Sequence, residues 1–174
     1  DLLREFAGTG MILDVTHLSD RSFTHALEVY PGPLLASHHN CRALVPGDRQ
    51  LNDEQIGKLI QRNAVIGTAF DAWMLYPGWK RGETNRDVVG IEAAADHIDH
   101  ICQLAGSARH CALGTDLDGG FGTEQTPRDL ETYSDVHKLE AILASRGYRN
   151  EDVDGIFYGN WLRFFSEVLP SEPG

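Results

Sequence analysis

Four short apolar runs constrain this chain more than anything else in it. Each ends in a side chain able to bind a metal or carry a proton. Residues 11–16 run into His17, 34–37 into His38, 64–70 into Asp71, and 111–114 into Thr115 and Asp116. Runs of this length and apolarity suit parallel strands buried on both faces, and α/β proteins carry their chemistry where such strands end. The segments between them read as helices. Ser19 and Asp20 are candidate caps for a helix to about Tyr30, and Asn52 is the candidate N-cap for 53–62. Residues 90–104 place Ile91, Ala94, Ala95, Ile98, Ile101 and Cys102 on one stripe. Further helices are expected over 133–146 and 150–169. The order βαβαβαβα predicts parallel strands with helices outside, one domain over all 174 residues. A small open sheet and half of an eight-stranded barrel fit this pattern equally.

Charge excludes some functions. A net charge of −11, spread along the chain, argues against nucleic acid or an anionic membrane as partner, since both need clustered Lys and Arg. No apolar run reaches the length of a membrane span. Cys41, Cys102 and Cys111 form an odd, scattered set without a C-x-x-C pair, which reads as free thiols in a reducing cytoplasm. The opening residues, with Leu2, Leu3, Phe6 and Ala7 at helical spacing, read as the inside of a helix and so as part of a longer polypeptide.

Parallel strands bring their carboxyl ends to one rim, so His17, His38, Asp71 and Asp116 are expected to converge there. Neutral imidazole and carboxylate are the ligands zinc prefers, but a catalytic zinc needs three protein ligands and an open position. Asp116 is the candidate acid/base, and Asp118-Gly119-Gly120 reads as a turn. Arg42 and Arg49, in the loop after the second run, are candidates for bidentate capture of a substrate carboxylate. The connection 71–89 carries Trp73, Tyr76 and Trp79 and reads as a lid or binding loop. Gly122, Thr123 and Glu124 can border the same site. His97 and His100 lie mid-helix and are expected to flank its buried face and pair with neighbouring carboxylates. His25, His110 and His137 read as solvated or turn residues, Cys41 as buried beneath the histidine loop, and Trp161, Phe164 and Phe165 as core.

At Asp14-Val-Thr-His17-Leu-Ser, Ser37-His38-His-Asn-Cys-Arg-Ala-Leu and Gly114-Thr-Asp116-Leu-Asp118-Gly, the sequence resembles the membrane (renal) dipeptidase family, the M19 metallopeptidases. Asp96-His-Ile-Asp-His-Ile101 and Gly159-Asn-Trp-Leu-Arg-Phe164 look like further signatures of that family, in the same order. The resemblance spans nearly the whole chain. It implies a zinc-dependent dipeptidase on an eight-stranded (β/α) barrel, of which this chain is the second, C-terminal half. It implies that His17 and His38 are ligands of a two-zinc centre whose bridging water attacks the peptide carbonyl. Arg49 would hold the substrate's C-terminal carboxylate, Asp116 would assist proton transfer, and Trp73 would lie near a substrate-lining aromatic.

Two departures accompany it. The family's first half supplies a His-x-Asp pair and a bridging glutamate that have no counterpart here, so the resemblance implies that this chain supplies only part of the site. His39 stands where many relatives carry serine. A half-barrel would expose the edges of its outer strands and leave barrel-facing apolar residues without partners, which predicts a homodimer or pairing with the other half. Two other readings remain open on the residues. One is a haloacid-dehalogenase-like phosphatase using Asp116 in Asp-Leu-Asp-Gly. The other is a non-catalytic half-barrel binding module.

Overall fold

A computed structural model describes residues 2–169. Every strand pair in it is parallel. β1 (Leu13–Asp14) pairs with β2 (Leu34–Leu35) in the register Leu13 to Leu34, and β3 (Ile66–Thr68) pairs with β4 (Cys111–Leu113) in the register Ile66 to Cys111. A parallel bridge between Ala36 and Ile66 joins the two pairs. Backbone bonds carry the pairing toward the rim: Ala36 N–H to Val65 O at 3.0 Å, Gly67 N–H to Ala36 O at 2.8 Å, and His39 N–H to Gly67 O at 2.7 Å. The strands therefore stand side by side in chain order. A doubly wound sheet reverses its order at a switch point, and these strands do not. Among the described residues, β1 and β4 each pair on one side only. The regular strands are shorter than the apolar runs because each run bends into its rim loop.

The helices form where the sequence marks them. α1 is Leu2–Gly8. α2 (Asp20–Val29) starts on Ser19, whose hydroxyl accepts from Ser22 N–H. α3 (Asp53–Gln61) starts on a reciprocal capping box between Asn52 and Gln55. The short α4 (Ala72–Leu75) follows β3 directly and is capped by Asp71. α5 (Glu92–Ala105) buries Ala94, Ala95, His97, Ile98, Ile101 and Cys102. A 3-10 turn at Tyr133–His137 leads into α6 (Lys138–Ser145), where one continuous helix was expected. α7 (Asn150–Asp154) passes through a π-helical segment, Gly155–Gly159, into α8 (Asn160–Val168).

Strand side chains alternate between two layers. Leu34, Ala36, Ile66 and Cys111 pack with Phe23, Ile56, Leu59, Ile98 and Ile101 of the covering helices. Leu35, Val65 and Ala112 face the other way and are buried against Phe164, with Trp161, Val168 and Ile12 alongside. Partners were not expected for this second face. α8 supplies them: Trp161 Nε1 donates to Leu113 O at 2.9 Å, and Asn160 Nδ2 donates to Ala108 O and Cys111 O. The last helix thus closes the sheet from the side opposite α3 and α5. Phe165, expected in the core, stacks on Trp161 and remains 37% exposed. Among the described residues, no helix is long and apolar enough to cross a membrane.

Candidate active site

Beyond β1 the chain turns sharply at His17, whose φ of 68° is left-handed and costs a non-glycine residue about 1–2 kcal/mol. That turn carries the imidazole over the rim to His38, which leaves β2 on the neighbouring strand. The two Nε2 atoms lie 3.0 Å apart, with ring centroids at 5.0 Å and planes at 66°. Ser37 Oγ sits 2.8 Å from His38 Nδ1, so a proton held there leaves the Nε2 lone pair facing the rim. Burial lowers the His38 pKa, against the opposing pull of Asp116, and favours the neutral ring a metal requires. Two neutral rings cannot present bare lone pairs to each other at 3.0 Å. The pair needs a proton or a cation between its nitrogens.

Asp116 joins them from the β4 loop, its Oδ2 3.8 Å from His38 Nε2. Its φ is 56°, and a Cβ at Gly119 would meet the Asp116 carboxylate at 2.6 Å, so glycine there clears the space it occupies. Asp118, with a φ of 81° and an exposed side chain, serves the turn as expected. Arg49 donates from Nη2 to His38 O at 2.9 Å, while its Nη1 is buried without a protein partner. Burial lowers the Arg49 pKa, and the charges of Asp116, Asp14 and Asp71 act against that. The rim thus gathers His17, His38, Asp116 and Arg49.

Other expected members lie elsewhere. Asp71 does not reach the histidines: it caps α4 through Trp73 N–H and receives both Gln125 Nε2 bonds at 2.8 Å. Burial raises its pKa despite those bonds. Arg42 grips Asp20 with two bonds of 2.8 and 2.9 Å and is committed to the scaffold. Trp73, half-buried on α4, lines a cavity with Trp79 and Arg81. Gly122 and Thr123 belong to the loop after β4, where Glu124 borders a neighbouring opening. His97 is wholly buried and accepts from Cys41 N–H at 3.0 Å, where a carboxylate partner was expected. His100 does pair with a carboxylate, Asp53, at 2.7 Å. His110 is buried against Ala64 O at 2.8 Å and is not solvated.

Sequence reasoning assigned no role to Asp14, Asn40 or Gln50. Asp14 Oδ1 accepts from Thr16 N–H and Ser37 N–H. Burial pushes its pKa up, but those bonds outweigh burial and hold it below the usual range. Its one visible signal is a carboxylate inside an apolar run. Buried Asn40 donates to Ala69 O and Met74 O and accepts from Ala69 N–H, and Gln50 Nε2 reaches the same Met74 O. Together they lock the His38 loop to the loop after β3. His39 is buried, with Nδ1 unpartnered, and burial followed by the Arg49 charge pushes its pKa down to about 3.

The donor chemistry fits part of a metal site. Two convergent imidazoles and a nearby carboxylate are suitable ligands, yet among the described residues no group of three His, Cys, Asp or Glu is arranged to hold an ion.

Parallel strands in chain order, with imidazole, carboxylate and guanidinium gathered at their carboxyl rim, define a parallel α/β protein whose candidate site lies where TIM barrels carry theirs. Residues 1–171 match the family described as Membrane dipeptidase (Peptidase family M19), and the chain belongs to that family. It is 32% identical over 97% of its length to Dipeptidase tcpJ of Claviceps purpurea, covering 37% of that protein. It is 28% identical over 96% of its length to human Dipeptidase 3, covering 32% of it. The chain therefore spans about a third of these curated relatives. Among solved structures it superposes on dipeptidase AC, a metallo peptidase of family M19, with a TM-score of 0.86 at 24% identity, over 98% of this chain and 46% of that one. A metallo peptidase from Rhodobacter sphaeroides, liganded with a phosphinate mimic of L-Ala-D-Ala, gives a TM-score of 0.83 at 24% identity, over 96% and 45%. The family match leaves the phosphatase reading of Asp116 without support.

Proposed function

We propose that this chain is the carboxyl-terminal half of a (β/α)8 barrel belonging to a zinc-dependent dipeptidase. The convergence of the His17 and His38 Nε2 atoms beside Asp116 and Arg49 carries the reading. Coverage of 45 and 46% of the two solved neighbours supports the half-barrel, as do the one-sided pairings of β1 and β4. Those edges would receive the remaining strands, which would also bring the missing metal ligands.

His17 and His38 would hold zinc together with those ligands. Bound there, zinc would supply Lewis acidity toward a water and the scissile carbonyl. The residues of this chain do the rest. Ser37 fixes the His38 ring through Nδ1. Asp116, unencumbered on its loop, takes a proton from the attacking water and passes it to the leaving amine. Arg49, anchored by one amino group on His38 O, offers the other to the terminal carboxylate of a dipeptide. Trp73 stands beside the substrate's path.

The test is zinc content and dipeptide hydrolysis in the full-length protein. Asp116→Asn is expected to lower kcat by roughly 10²–10⁴ with zinc retained, the span ordinarily supplied by a positioned acid/base. His38→Ala is expected to lose both zinc and turnover. Full hydrolysis by His38→Ala would overturn the proposal.

A further inference from the structure

The connection from β3 to α5 builds a second polar feature beside the site that the proposed mechanism leaves unused. Trp73, Trp79 and Arg81 line a cavity of about 360 Å³. Trp79 and Arg81 continue into a larger opening of about 580 Å³, walled on its far side by Phe121, Glu124 and Gln125.

Arg81 is aimed rather than loose. Its Nε donates to Gln125 Oε1 at 3.0 Å, and Gln125 turns its Nε2 to both oxygens of Asp71 at 2.8 Å. The Asp71 carboxylate dictates which way the Gln125 amide faces, and the amide oxygen in turn holds the guanidinium by its inner nitrogen. Among the described residues, the two terminal amino groups of Arg81 have no hydrogen-bond or ion-pair partner. Trp79 adds a second idle donor, because its Nε1 is buried and unpartnered. A bidentate donor and an indole N–H between aromatic walls call for an acceptor-rich, anionic group. Nearby acids do not fill that role. Glu83 pairs with Lys80 at 3.6 Å, and Glu124, within electrostatic reach of Arg81, accepts from Gly122 N–H at 2.9 Å.

The cavity also lies at the right place. Trp73 N–H and Gln125 both bond Asp71, and Asn40 ties the His38 loop to Ala69 O and Met74 O on either side of it. We propose that Arg81, framed by Trp73 and Trp79, makes this site selective for dipeptides bearing a side-chain carboxylate. Arg49 then takes the main-chain carboxylate and Arg81 the one on the side chain. This rests on the dipeptidase reading above and names the substrate class within it.

The experiment uses the full-length protein and two matched pairs, Ala-Glu with Ala-Gln and Glu-Ala with Gln-Ala. In the zinc-loaded protein, at least one acidic dipeptide is expected to exceed its amide partner in kcat/KM by about tenfold, a modest factor because the Arg81 head is exposed to solvent and salt. Arg81→Ala is expected to erase that preference through KM while leaving the amides unchanged, and Arg81→Lys to restore it only in part. Binding is followed separately by tryptophan fluorescence in metal-free protein, where Arg81→Ala should weaken the acidic dipeptide alone. Hydrolysis without an acidic preference overturns the Arg81 assignment and leaves the dipeptidase reading standing. Arg81-dependent binding of acidic dipeptides without hydrolysis of any dipeptide supports the anion pocket and overturns the dipeptidase reading. Equal weakening of acids and amides by Arg81→Ala reduces Arg81 to a structural residue and overturns the proposal.

Discussion

Asn40→Ala removes the side chain that ties the His38 loop to the end of β3, and its cost follows from the bonds it leaves behind. Asn40 is 1% exposed, donates to Ala69 O at 3.1 Å and Met74 O at 3.2 Å, and accepts from Ala69 N–H at 2.9 Å. Met74 O keeps its bond from Gln50 at 3.0 Å. Ala69 loses its partner on both N–H and C=O, in a segment where residues 64–72 are all buried. Each buried group left unsatisfied costs about 1–3 kcal/mol, so the variant should lose roughly 2–6 kcal/mol. That is a large share of the roughly 5–15 kcal/mol that holds an ordinary domain together. Urea unfolding at pH 7 measures it, with Asn40→Asp as control. The control keeps the acceptor for Ala69 N–H but buries a charge against two carbonyls, so it should be no more stable than the alanine variant. A loss below about 1 kcal/mol in Asn40→Ala would mean that water or neighbouring groups take up the vacated bonds, and the hub assignment would be wrong.

Burial holds His97 at about 4, below the ordinary value of 6.5. The unfolded chain therefore binds a proton that the folded chain refuses, and the His97 contribution is complete above pH 6.5 and is lost on acidification toward pH 4. The loss is about 1.4 kcal/mol per pH unit in that window, and His97→Gln should remove this part of the slope in unfolding free energies measured from pH 7 to 4. Parallel pH profiles for the two proteins would refute it. Gly114→Ala would place a Cβ 1.9 Å from Ser37 O and 2.9 Å from Gly67 Cα, all backbone, so it should lose at least about 1–3 kcal/mol and depress Tm by about 2–4 °C for each of them. Arg42→Ala and Arg49→Ala should separate scaffold from site. The first breaks a partly exposed ion pair with Asp20 and the Nε bond to Gln50 O, lowering stability by about 1–3 kcal/mol without changing KM. The second raises KM for dipeptides about tenfold or more with little change in Tm.

What was legible in the sequence is what local periodicity controls. Apolar runs ending in polar residues placed His17, His38 and Asp116 on one rim, because parallel strands must deliver their ends together. The same pattern misplaced Asp71. An aspartate after a strand can face a site or cap the next helix, and the residue that decides, Gln125, lies 54 positions away. The partner of His97 and the burial of His110, which does lie in a 3-10 turn, were missed for a related reason. Their partners are backbone groups, Cys41 N–H and Ala64 O, supplied by segments 56 and 46 residues distant. Arg42 and Arg49 occupy the same loop with similar surroundings in sequence, and only the position of Asp20 at the start of α2 tells them apart. The last helix was read as giving Trp161, Phe164 and Phe165 to the core. Its docking against the inner face of the sheet was not legible, because that face pairs residues about fifty positions or more apart.

Three of the buried polar groups share one location. Asn40 and Gln50 both donate to Met74 O, and His97 accepts from Cys41 N–H in the same loop, so the loop carrying His38 is fastened to the loop carrying Trp73 and to α5 beneath the rim. Among the described residues, none of these three side chains hydrogen-bonds His17 or His38, and each is buried. Rigid support of that kind lets a site hold reacting groups in geometry that side-chain freedom would otherwise blur. It also divides the residues of the site by consequence. Changes at the rim, where His17 is strained and Asp116 and Arg81 face outward, should alter chemistry or selectivity while the fold persists. Changes at this buried hub should lower stability first and disturb the site only as the two loops part. An Asn40 or His97 variant that kept its stability but lost metal affinity would contradict this division, because it would mean the hub acts on the histidines directly.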